Sequence, residues 1–488
     1  MENDKNLTLH NRLDVRRFGA RGDGAHIDTL ALQSAIDTAS LNGGGTVFFP
    51  AGRYKSFSLR LKSKVTLELG EGATLIAATP GTDGQYDLPE FNPADRYQDF
   101  GHNHWHNSLI WGENIEDIAI LGPGLIDGSG LTREGPGAPW SKGAGGDRPL
   151  SMGPAPTDLI AGYEHHLAAM NGQGNKAIAL KNVRRATLCG FSLYRGGHIA
   201  ILVTGGDSIA IRNLRVDSNR DGIDIDCVSN VTLSGLTINT PNDDAIVLKS
   251  SYALGEFRPT RNVTIKDCAV SGFDLGSMLD GTYRTTQVYA PDQDGVTGRI
   301  KLGTESCGGF SNITIENCHF RRSRGLALEC VDGGRMENIR VENITMQSVT
   351  TAPLFVRIGD RRRAPPGAAM ATARGISISR IRAVDIDPRF AALIAGLPDS
   401  PVTDLVLEDI ELKFRAGIVA LPVQPLPELA DAYPEPSMFG PTPAWGLYMR
   451  HVRNVSLSGI TLHTDAAETR PRILGDNVTT TDKTAPTR

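Results

Sequence analysis

Short runs in which apolar and polar residues alternate recur along the chain, and each pair of runs follows a turn residue that is usually asparagine. The clearest copies begin at Asn182, Asn230, Asn262, Asn312, Asn338 and Asn454, with less regular copies at Asn114, Ser208, Gly375 and Val402. The runs hold only three to five residues and are rich in β-branched side chains, which is typical of strands and too short for helices. The pattern therefore predicts pairs of short strands repeated along the chain.

The spacing of the copies predicts how these strands stack. Ser208 and Asn230 are 22 residues apart, and we interpret the 50 residues from Asn262 to Asn312 as two turns of the same repeat. A propeller blade would need about 40 to 50 residues arranged as antiparallel hairpins, whereas the shorter period fits one coil of a parallel solenoid. The predicted fold class is all-β, a single-stranded right-handed parallel β-helix over residues 14–462.

The ends and the loops of this solenoid are also readable in the sequence. An open end would expose apolar core and an unpaired strand edge, and residues 28–40 predict a capping helix at the N-terminal end with Asp28 as its N-cap. Residues 473–488 are polar and rich in threonine, so we expect a flexible tail. Segments without the repeat are predicted to be loops that wall a groove, namely 78–106, 132–175, 280–298, 361–374 and 421–445.

Composition and charge exclude several classes of partner. The 488-residue chain has 50 Lys and Arg against 55 Asp and Glu, a net charge of −5. We therefore expect neither nucleic acid nor an anionic membrane surface as a partner. No apolar run approaches the ~18 residues of a membrane span, and the polar residues 1–5 are not a secretion signal. We expect a cytoplasmic protein, or a secreted or periplasmic one if a leader has been removed.

The densest acidic cluster recurs on two consecutive coils. Asp221 is followed 22 residues later by Asp243 and then Asp244, so stacking should bring the three carboxylates together at about 5 Å, one strand spacing. Crowding raises the pKa of at least one carboxyl group, and a proton retained near neutral pH is what acid–base cleavage of a glycosidic bond requires. Acids at coil corners also cap turns, which explains single acids well and three together poorly. We interpret the cluster as catalytic.

The acidic cluster belongs to a longer pattern that comprises residues 14–23, 122–128, 219–222, 243–249 and 303–309. This pattern resembles glycoside hydrolase family 28, the polygalacturonase and rhamnogalacturonase group of pectin-degrading β-helices. The resemblance implies a hydrolase that inverts the anomeric carbon without metal or other cofactor. It implies Asp243 as the general acid and Asp221 with Asp244 as the pair that activates water. For attack by water we expect acid and base carboxyl groups about 6.5 to 9.5 Å apart.

Three positions depart from the polygalacturonase pattern. Gly298 stands where those enzymes carry a histidine, and Ala327 and Glu329 replace an arginine and a lysine that bind the substrate carboxylate. A uronate beside Glu329 would lose on the order of 1 kcal/mol or more to like-charge repulsion. We therefore expect an α-glycosidic bond in a pectic or related oligosaccharide with uronic acid, rhamnose or another neutral sugar, and hydrogen bonds from sugar hydroxyls to Glu329. Loops that close one end of the groove would favour exo action.

Further residues are predicted to contact the sugar. The substrate-binding candidates are Asn219, Lys249, Arg299, Lys301, Glu305, Glu329, His198 and Trp105. A cation that takes over from the missing arginine and lysine could come from Arg299, Lys301, Arg284 or Arg357. His102, His104 and His106 alternate as if on one face of a strand, which suits either a metal or a loop that contacts sugar. We favour the loop, because no cysteine or acidic residue lies within the His102 to His106 stretch.

Two other functions fit parts of the same pattern. A polysaccharide lyase on this fold would need acidic Ca²⁺ ligands and a basic residue for proton abstraction, which Asp224, Asp226 and Lys249 could supply. A carbohydrate-binding β-helix without catalysis would account for the three departures described above. The hydrolase remains the leading interpretation because it uses all three clustered carboxylates.

Overall fold

The computed structural model describes residues 12–97, 102–132, 170–292, 294–417, 426–465 and 467–481. Within these ranges helix α1 spans Thr29–Leu41, and short 3₁₀ turns span Val15–Phe18, Asp95–Tyr97 and Pro436–Phe439. The N-terminal strands are β1 (Arg12–Asp14), β2 (Asp23–Ile27), β3 (Gly45–Phe49), β4 (Gly52–Ser56), β5 (Leu59–Arg60), β6 (Val65–Leu69), β7 (Ala73–Ala77), β8 (Ser108–Glu113), β9 (Glu116–Leu121), β10 (Leu125–Asp127), β11 (Lys176–Lys181), β12 (Arg184–Cys189), β13 (Ser192–Tyr194), β14 (Ile199–Thr204), β15 (Asp207–Arg212) and β16 (Arg215–Asp217). They continue as β17 (Asp221–Asp226), β18 (Ser229–Ser234), β19 (Thr237–Asn239), β20 (Ile246–Lys249), β21 (Thr260–Lys266), β22 (Ala269–Ser271), β23 (Ile300–Leu302), β24 (Phe310–Ser323), β25 (Leu326–Cys330), β26 (Arg335–Val349), β27 (Leu354–Ile358), β28 (Thr372–Ile386), β29 (Ala392–Ala395), β30 (Val402–Phe414), β31 (Leu447–Thr464) and β32 (Ile473–Thr480).

The strands form parallel ladders that wind around one core. One ladder joins β1, β3, β6, β9, β12, β15, β18, β21 and β24, and a second joins β2, β4, β7, β10, β13, β16, β19, β22 and β24. A third joins β5, β8, β11, β14, β17, β20, β23, β25, β27, β29, β31 and β32. From β24 onward, the long strands β24, β26, β28, β30 and β31 continue the first two ladders together. The chain is thus the single-stranded right-handed parallel β-helix that the repeat predicted.

Inward-facing isoleucines hold the coils of the third ladder in register. Ile178, Ile201, Ile223, Ile246 and Ile300 stack on one another from coil to coil. All five are fully buried, and burial of such a side chain contributes about 1.5–3 kcal/mol. Because a slip of one residue would turn every side chain to the opposite face, this stack fixes which residues meet at the outer surface.

The asparagines of the repeat occupy one turn of successive coils. Asn230, Asn262, Asn312 and Asn338 have φ angles of 61°, 55°, 56° and 57°, a left-handed conformation that asparagine tolerates better than most residues. Nδ2 of Asn312 donates a hydrogen bond to Oδ1 of Asn262 at 3.0 Å, so these two residues lie on adjacent coils. The expectation that their 50-residue interval spans two turns is wrong, because residues 272–299 form an insertion within a single coil.

The N-terminal helix buries Leu32, Ala35 and Ile36 against the core. It begins and ends one residue later than predicted. Asp28 does not cap it, because its carboxylate instead accepts hydrogen bonds from the backbone N–H groups of Arg21 and Gly22, at 2.7 and 3.0 Å. No helix in the described ranges has the length and hydropathy that a membrane span requires.

The C-terminal end differs from the predicted flexible tail. Residues 473–480 form β32, which pairs in parallel with β31 because that strand offers an open edge of backbone hydrogen-bonding groups. Residues 482–488 of the predicted tail lie outside the described ranges. The limits of the predicted catalytic domain, residues 14–462, stay a prediction.

Candidate active site

Three carboxylates meet where two neighbouring coils enter the third ladder. β17 begins at Asp221, and Asp243 and Asp244 lie just before β20 on the next coil. The backbone N–H of Gly222 donates to the carbonyl oxygen of Asp244 at 3.0 Å, which aligns the two coils. Asp221 therefore stacks on Asp244, one residue away from the partner that the 22-residue spacing predicted.

The oxygens of the three carboxylates lie close together. One oxygen from each of Asp221, Asp243 and Asp244 lies within 4.8 Å of one oxygen of each of the others. The backbone N–H of Asp244 donates to Oδ1 of Asp221 at 3.2 Å and to Oδ1 of Asp243 at 3.1 Å. They are crowded because two of the acids are consecutive and the third is one strand spacing away. The expected separation of 6.5 to 9.5 Å between acid and base carboxyl groups stays a prediction.

Asp243 is the most exposed of the three, with 24% of its side chain accessible against 7% for Asp221 and 6% for Asp244. Burial raises the pKa of Asp243 to about 7, and the charge of Asp221 acts in the same direction. Arg220 opposes this shift, since its Nη2 lies 2.9 Å from Oδ2 of Asp243. Asp243 can therefore hold a proton near neutral pH.

Asp244 has the opposite electrostatic environment. Burial alone would raise its pKa, but the charges of Arg299 and Lys301 outweigh burial and lower it. Nε of Arg299 lies 2.6 Å from Oδ1 of Asp244, and Nζ of Lys301 lies 3.5 Å from Oδ2. Asp244 is consequently an anion at neutral pH, while burial raises the pKa of the neighbouring Asp221.

Lys249 is the centre of a second charged group beside these acids. Its Nζ lies 3.2 Å from Asp224 Oδ2, 3.5 Å from Glu305 Oε2 and 2.9 Å from His102 Nε2. Ligand atoms of His102, Asp221 and Asp224 also converge here within 4.8 Å of one another. Because a lysine ammonium group lies among these atoms, the residues present do not fit a divalent cation.

A cleft of about 560 Å³, including open solvent, lies above the two groups. Two segments outside the coils contribute to its lining, one before β8 that supplies His102 and one between β30 and β31 that supplies Tyr433 and Glu435. Both segments pack on apolar parts of the third ladder. Trp105 clusters with Ala179, Ile199 and Leu202, and Leu426 and Phe439 cluster with Ala327, Phe355 and Leu393.

Seven of the predicted site residues line the cleft: Asp221, Asp243, Asp244, Lys249, Arg299, Lys301 and Glu305. Asn219 and His198 do not line the cleft but lie next to residues that do. Asn219 accepts a hydrogen bond from Asn242, which does line the cleft, and the ring of His198 lies 5.5 Å from that of His102.

Two predicted sugar contacts are corrected by the structure. Trp105 is fully buried, with Nε1 donating to Thr204 Oγ1 at 3.1 Å, so its ring is part of the packing beneath the cleft. Glu329 is also fully buried, 3.3 Å from Nζ of Lys301, and burial raises its pKa to about 7. Lys301 reaches the cleft and Glu329 does not, because Glu329 serves as the partner of that lysine.

The other two proposed replacement cations lie elsewhere. Arg284 is half exposed and pairs with Asp280 at 3.0 Å. Arg357 donates to the backbone carbonyl groups of Glu428 and Leu429, at 2.7 and 3.1 Å, and so anchors the segment between β30 and β31. Arg299 and Lys301 are therefore the two of the four candidates that line the cleft.

The three histidines of the His102 stretch do not share one environment. His104 bonds the carbonyl group of Glu90 at 2.7 Å, whereas His106 pairs with Glu113 at 2.9 Å and stacks on Trp111. The segment is not an extended strand, so the three rings diverge and do not form one ligand set.

Sequence reasoning missed several residues of the cleft. Arg220 lies inside the 219–222 block and could have been found there from its charge. Tyr433 and Glu435 lie in the Pro-rich loop predicted at 421–445, Asp292 lies within the insertion, and Arg324 directly follows β24. These four approach the acids only through tertiary structure, so local pattern carries no trace of their role.

Comparison with known proteins agrees with this architecture. The family described as "Rhamnogalacturonase A/epimerase, pectate lyase-like" matches residues 13–113, and "Right handed beta helix region" matches residues 176–351. A probable polygalacturonase of Vitis vinifera is 24% identical over 425 residues, covering 83% of this chain and 75% of that protein. An exo-poly-alpha-D-galacturonosidase of Dickeya chrysanthemi is 34% identical over 131 residues, covering 25% of this chain and 20% of that protein.

A solved structure shares the whole fold. The family 28 exopolygalacturonase of Yersinia enterocolitica superposes with a TM-score of 0.65 at 19% identity, covering 96% of this chain and 78% of that one. The chain therefore has the right-handed parallel β-helix fold. Within that fold it resembles glycoside hydrolase family 28, and polygalacturonases are among its relatives.

Proposed function

We propose that this protein is an inverting glycoside hydrolase that cleaves an α-glycosidic bond in a pectic or related oligosaccharide. One observation carries the proposal: two consecutive carboxyl groups in one cleft have pKa values shifted in opposite directions, Asp243 up to about 7 and Asp244 down. Paired carboxyl groups with separated pKa values are the equipment of acid–base glycoside cleavage. The polygalacturonase names among the relatives support the same reaction class.

Each carboxyl group has a role that follows from its protonation. Asp243, the protonated and more exposed group, donates its proton to the leaving oxygen as the glycosidic C–O bond breaks. A water held by Asp244 and Asp221 attacks the anomeric carbon and gives its proton to this carboxylate pair. Arg299 and Lys301 keep Asp244 ionised, so that it can accept that proton.

The alternative to inversion is a retaining course through a covalent intermediate. The three acids are crowded, with nearest oxygens within 4.8 Å of one another, and a retaining enzyme needs its acid and nucleophile about 5 Å apart. Proton NMR of the first product decides between the two, with an inverted anomeric signal expected. Initial retention, or a trapped glycosyl-enzyme, would replace single displacement by a covalent route through one of these carboxylates.

The charges of the cleft support a neutral or deoxy sugar beside the scissile bond. Arg299 and Lys301 line the cleft, but Arg299 pairs with Asp244 and Glu435, and Lys301 lies beside Asp244 and Glu329. Neither cation is left with an excess of charge for a uronate. We therefore infer a substrate with rhamnose or another neutral residue at this position.

Exo action is the second part of the proposal. Segments outside the coils contribute His102, Tyr433 and Glu435 to the lining of the cleft, and such segments would limit how much of a long polysaccharide it receives. We expect short products released from the chain end at early times. A broad ladder of intermediate lengths in the same digest would mean endo action.

The test of the whole proposal is an assay on two matched substrates. Purified protein is incubated with rhamnose-containing pectic oligosaccharides and with unsubstituted polygalacturonate, with the Asp243→Asn variant as the control for contaminating activity. We expect release of reducing sugar from the first substrate and little from the second. Binding of both without turnover would instead identify a carbohydrate-binding β-helix.

The lyase alternative is less well supported by the geometry. Its Ca²⁺ ligands would include Asp224 and Asp226, but Asp224 contacts Lys249, and Asp226 is bonded to Ser251 and buried. A lyase would give unsaturated products that absorb ultraviolet light, and its activity would fall with a chelator. We expect neither result.

A further inference from the structure

Glu435 is a buried carboxylate that reaches the cleft from outside the coils. It belongs to the covering segment between β30 and β31, defined as residues 426–446, and 8% of it is exposed. Its oxygens accept hydrogen bonds from Nη1 and Nη2 of Arg299, at 3.0 and 2.7 Å. Oε1 also lies 3.4 Å from Nη1 of Arg324. One side chain of the covering segment therefore engages two cations of the cleft wall.

In the wall around Glu435 every cation already has carboxyl partners. In the described part of the chain its three cations, Arg299, Lys301 and Arg324, contact four carboxyl groups, which belong to Asp244, Asp292, Glu329 and Glu435. Three of these four acids lie on the coils or on the insertion. Glu435 alone is delivered by the covering segment, so it can vary without disturbing the coil register.

The covering segment holds Glu435 rigidly. Proline flanks it on both sides, at 434 and 436, which restricts the backbone, and a 3₁₀ turn follows at Pro436–Phe439. The hydroxyl group of Tyr433 accepts hydrogen bonds from Nζ of Lys301 and Oγ1 of Thr304, both at 3.2 Å. Phe439 packs in the apolar cluster with Phe355 and Leu393. The carboxylate is thus fixed on both sides.

We propose that Glu435 is a specificity-determining residue that occupies, with its own carboxylate, the guanidinium groups of Arg299 and Arg324 to which a substrate uronate would bind. A bidentate arginine–carboxylate pair has the geometry that such a uronate would use. While Glu435 holds this place, the cleft favours neutral sugars and esterified uronates and disfavours free uronates. The inference rests on the proposed function and adds the residue that selects the substrate class.

The test compares two probes that differ only in charge. Trigalacturonate and its fully methyl-esterified form are titrated calorimetrically into the protein. Every protein tested carries the Asp243→Asn substitution, so that neither probe is cleaved. We expect tighter binding of the ester when Glu435 is present. Glu435→Gln keeps the size of the side chain and removes its charge, and it should shift the acid-to-ester affinity ratio toward the free acid by about tenfold or more.

A matched control lies on the same segment. Glu428→Gln makes the same chemical change where the side chain pairs with Arg450 and His451 and does not line the cleft, so it should leave the ratio unchanged. If Glu435→Gln does not fold, Asp292→Asn releases Arg324 from its other partner and should shift the ratio in the same direction, by less.

Three results would overturn the inference. The first is an acid-to-ester affinity ratio that stays within twofold of that of the protein with Glu435 in both Glu435→Gln and Asp292→Asn. The second is a shift of this ratio in Glu428→Gln as large as that in Glu435→Gln. The third is the absence of measurable binding of either probe. The proposed function is judged separately by turnover of the unmodified protein. Hydrolysis together with an unchanged ratio rejects the role of Glu435 alone, whereas a shifted ratio without hydrolysis rejects the proposed reaction and keeps the charge selection.

Discussion

Two of the places where the coils stack polar side chains in register have opposite chemistry, namely the asparagine stack at Asn262, Asn312 and Asn338 and the acid stack at Asp221 and Asp244. In the asparagine stack, Nδ2 of Asn338 donates to Oδ1 of Asn312, and Nδ2 of Asn312 donates to Oδ1 of Asn262. In the acid stack, Asp221 and Asp244 face each other with acceptors only, unless one carboxyl group keeps a proton. Amide groups satisfy one another along a stack, whereas carboxylates need protons or cations from elsewhere.

The difference shows why one stack is structural and the other suits catalysis. The hydrogen bonds of the asparagine stack are made within the coils, so the stack needs no partner from segments outside the coils. The acid stack is completed by Arg220, Arg299 and Lys301 and by a raised pKa at Asp243. Crowded ionisable groups in a cleft cost folding free energy and have shifted pKa values. Acid–base catalysis uses groups of this kind.

Asp243→Asn should have the greatest effect on activity. The substitution gives the acid stack an amide like that of the asparagine stack, which cannot act as a general acid. We expect kcat to fall by about 10³ with substrate binding largely kept, since a general acid contributes roughly 10²–10⁴. Steady-state kinetics on a cleaved oligosaccharide measure this. Turnover near that of the unmodified protein would remove Asp243 from the mechanism.

The second prediction removes a cation from the acid stack. Arg299→Met leaves Asp244 and Glu435 buried without their shared partner, and loss of one member of a buried ion pair costs about 3 kcal/mol or more. Urea unfolding measures the loss. The control is Arg284→Met at an exposed pair, which should change stability by less than about 1 kcal/mol. Equal effects of the two substitutions would mean that the cleft charges are not coupled.

Arg299→Met also tests the cause of the lowered pKa of Asp244. With Arg299 present the pKa of Asp244 is depressed. Asp244 therefore stays ionised when the pH falls below 3.8, the ordinary pKa of an aspartic acid. Without Arg299 the pKa should rise and the acidic limb of the kcat/KM profile should move to higher pH. An acidic limb that does not move would assign it to another group.

The repeat made the asparagine stack and the fold predictable, because both follow from local alternation and from one recurring turn residue. The three acids were predictable for the same reason, since Asp221 and Asp244 occupy register positions of adjacent coils. Register itself was predicted one residue off, as the coil between them holds 23 residues. The interval from Asn262 to Asn312 was misjudged because an insertion and an extra coil look alike in spacing alone.

The residues that reach the cleft from outside the coils could not be placed there from the pattern. His102, Tyr433 and Glu435 come from segments without repeat, and their positions depend on which apolar patch each segment covers. Trp105 was assigned to sugar contact as part of a loop that walls the groove, and Glu329 because it stands where the polygalacturonase pattern has a cation that binds the substrate. The structure uses Trp105 to anchor a segment and Glu329 to hold Lys301.

The third prediction concerns stability against pH. The folded pKa of Asp243, about 7, is above its ordinary value of 3.8, so the folded state holds a proton that the unfolded chain has released between these values. Stability should therefore fall as pH rises through this window. Asp243→Asn removes this dependence and should be more stable than the unmodified protein at pH 8, by on the order of 1 kcal/mol. Parallel unfolding midpoints of the two proteins at pH 5 and pH 8 would contradict the raised pKa.

The smallest expected effect lies in the asparagine stack. Asn312→Ala removes the amide that links Asn262 and Asn338 and places alanine at a φ of 56°, which disfavours it. We expect a loss of about 1–2 kcal/mol in urea unfolding. Asn312→Gly keeps the left-handed turn and loses only the hydrogen bonds, so it should cost less than the alanine variant. Both should keep the kcat of the unmodified protein, because this stack holds no charge that the cleft uses; a fall in kcat comparable to that of Asp243→Asn would show that the two stacks are coupled through the coils.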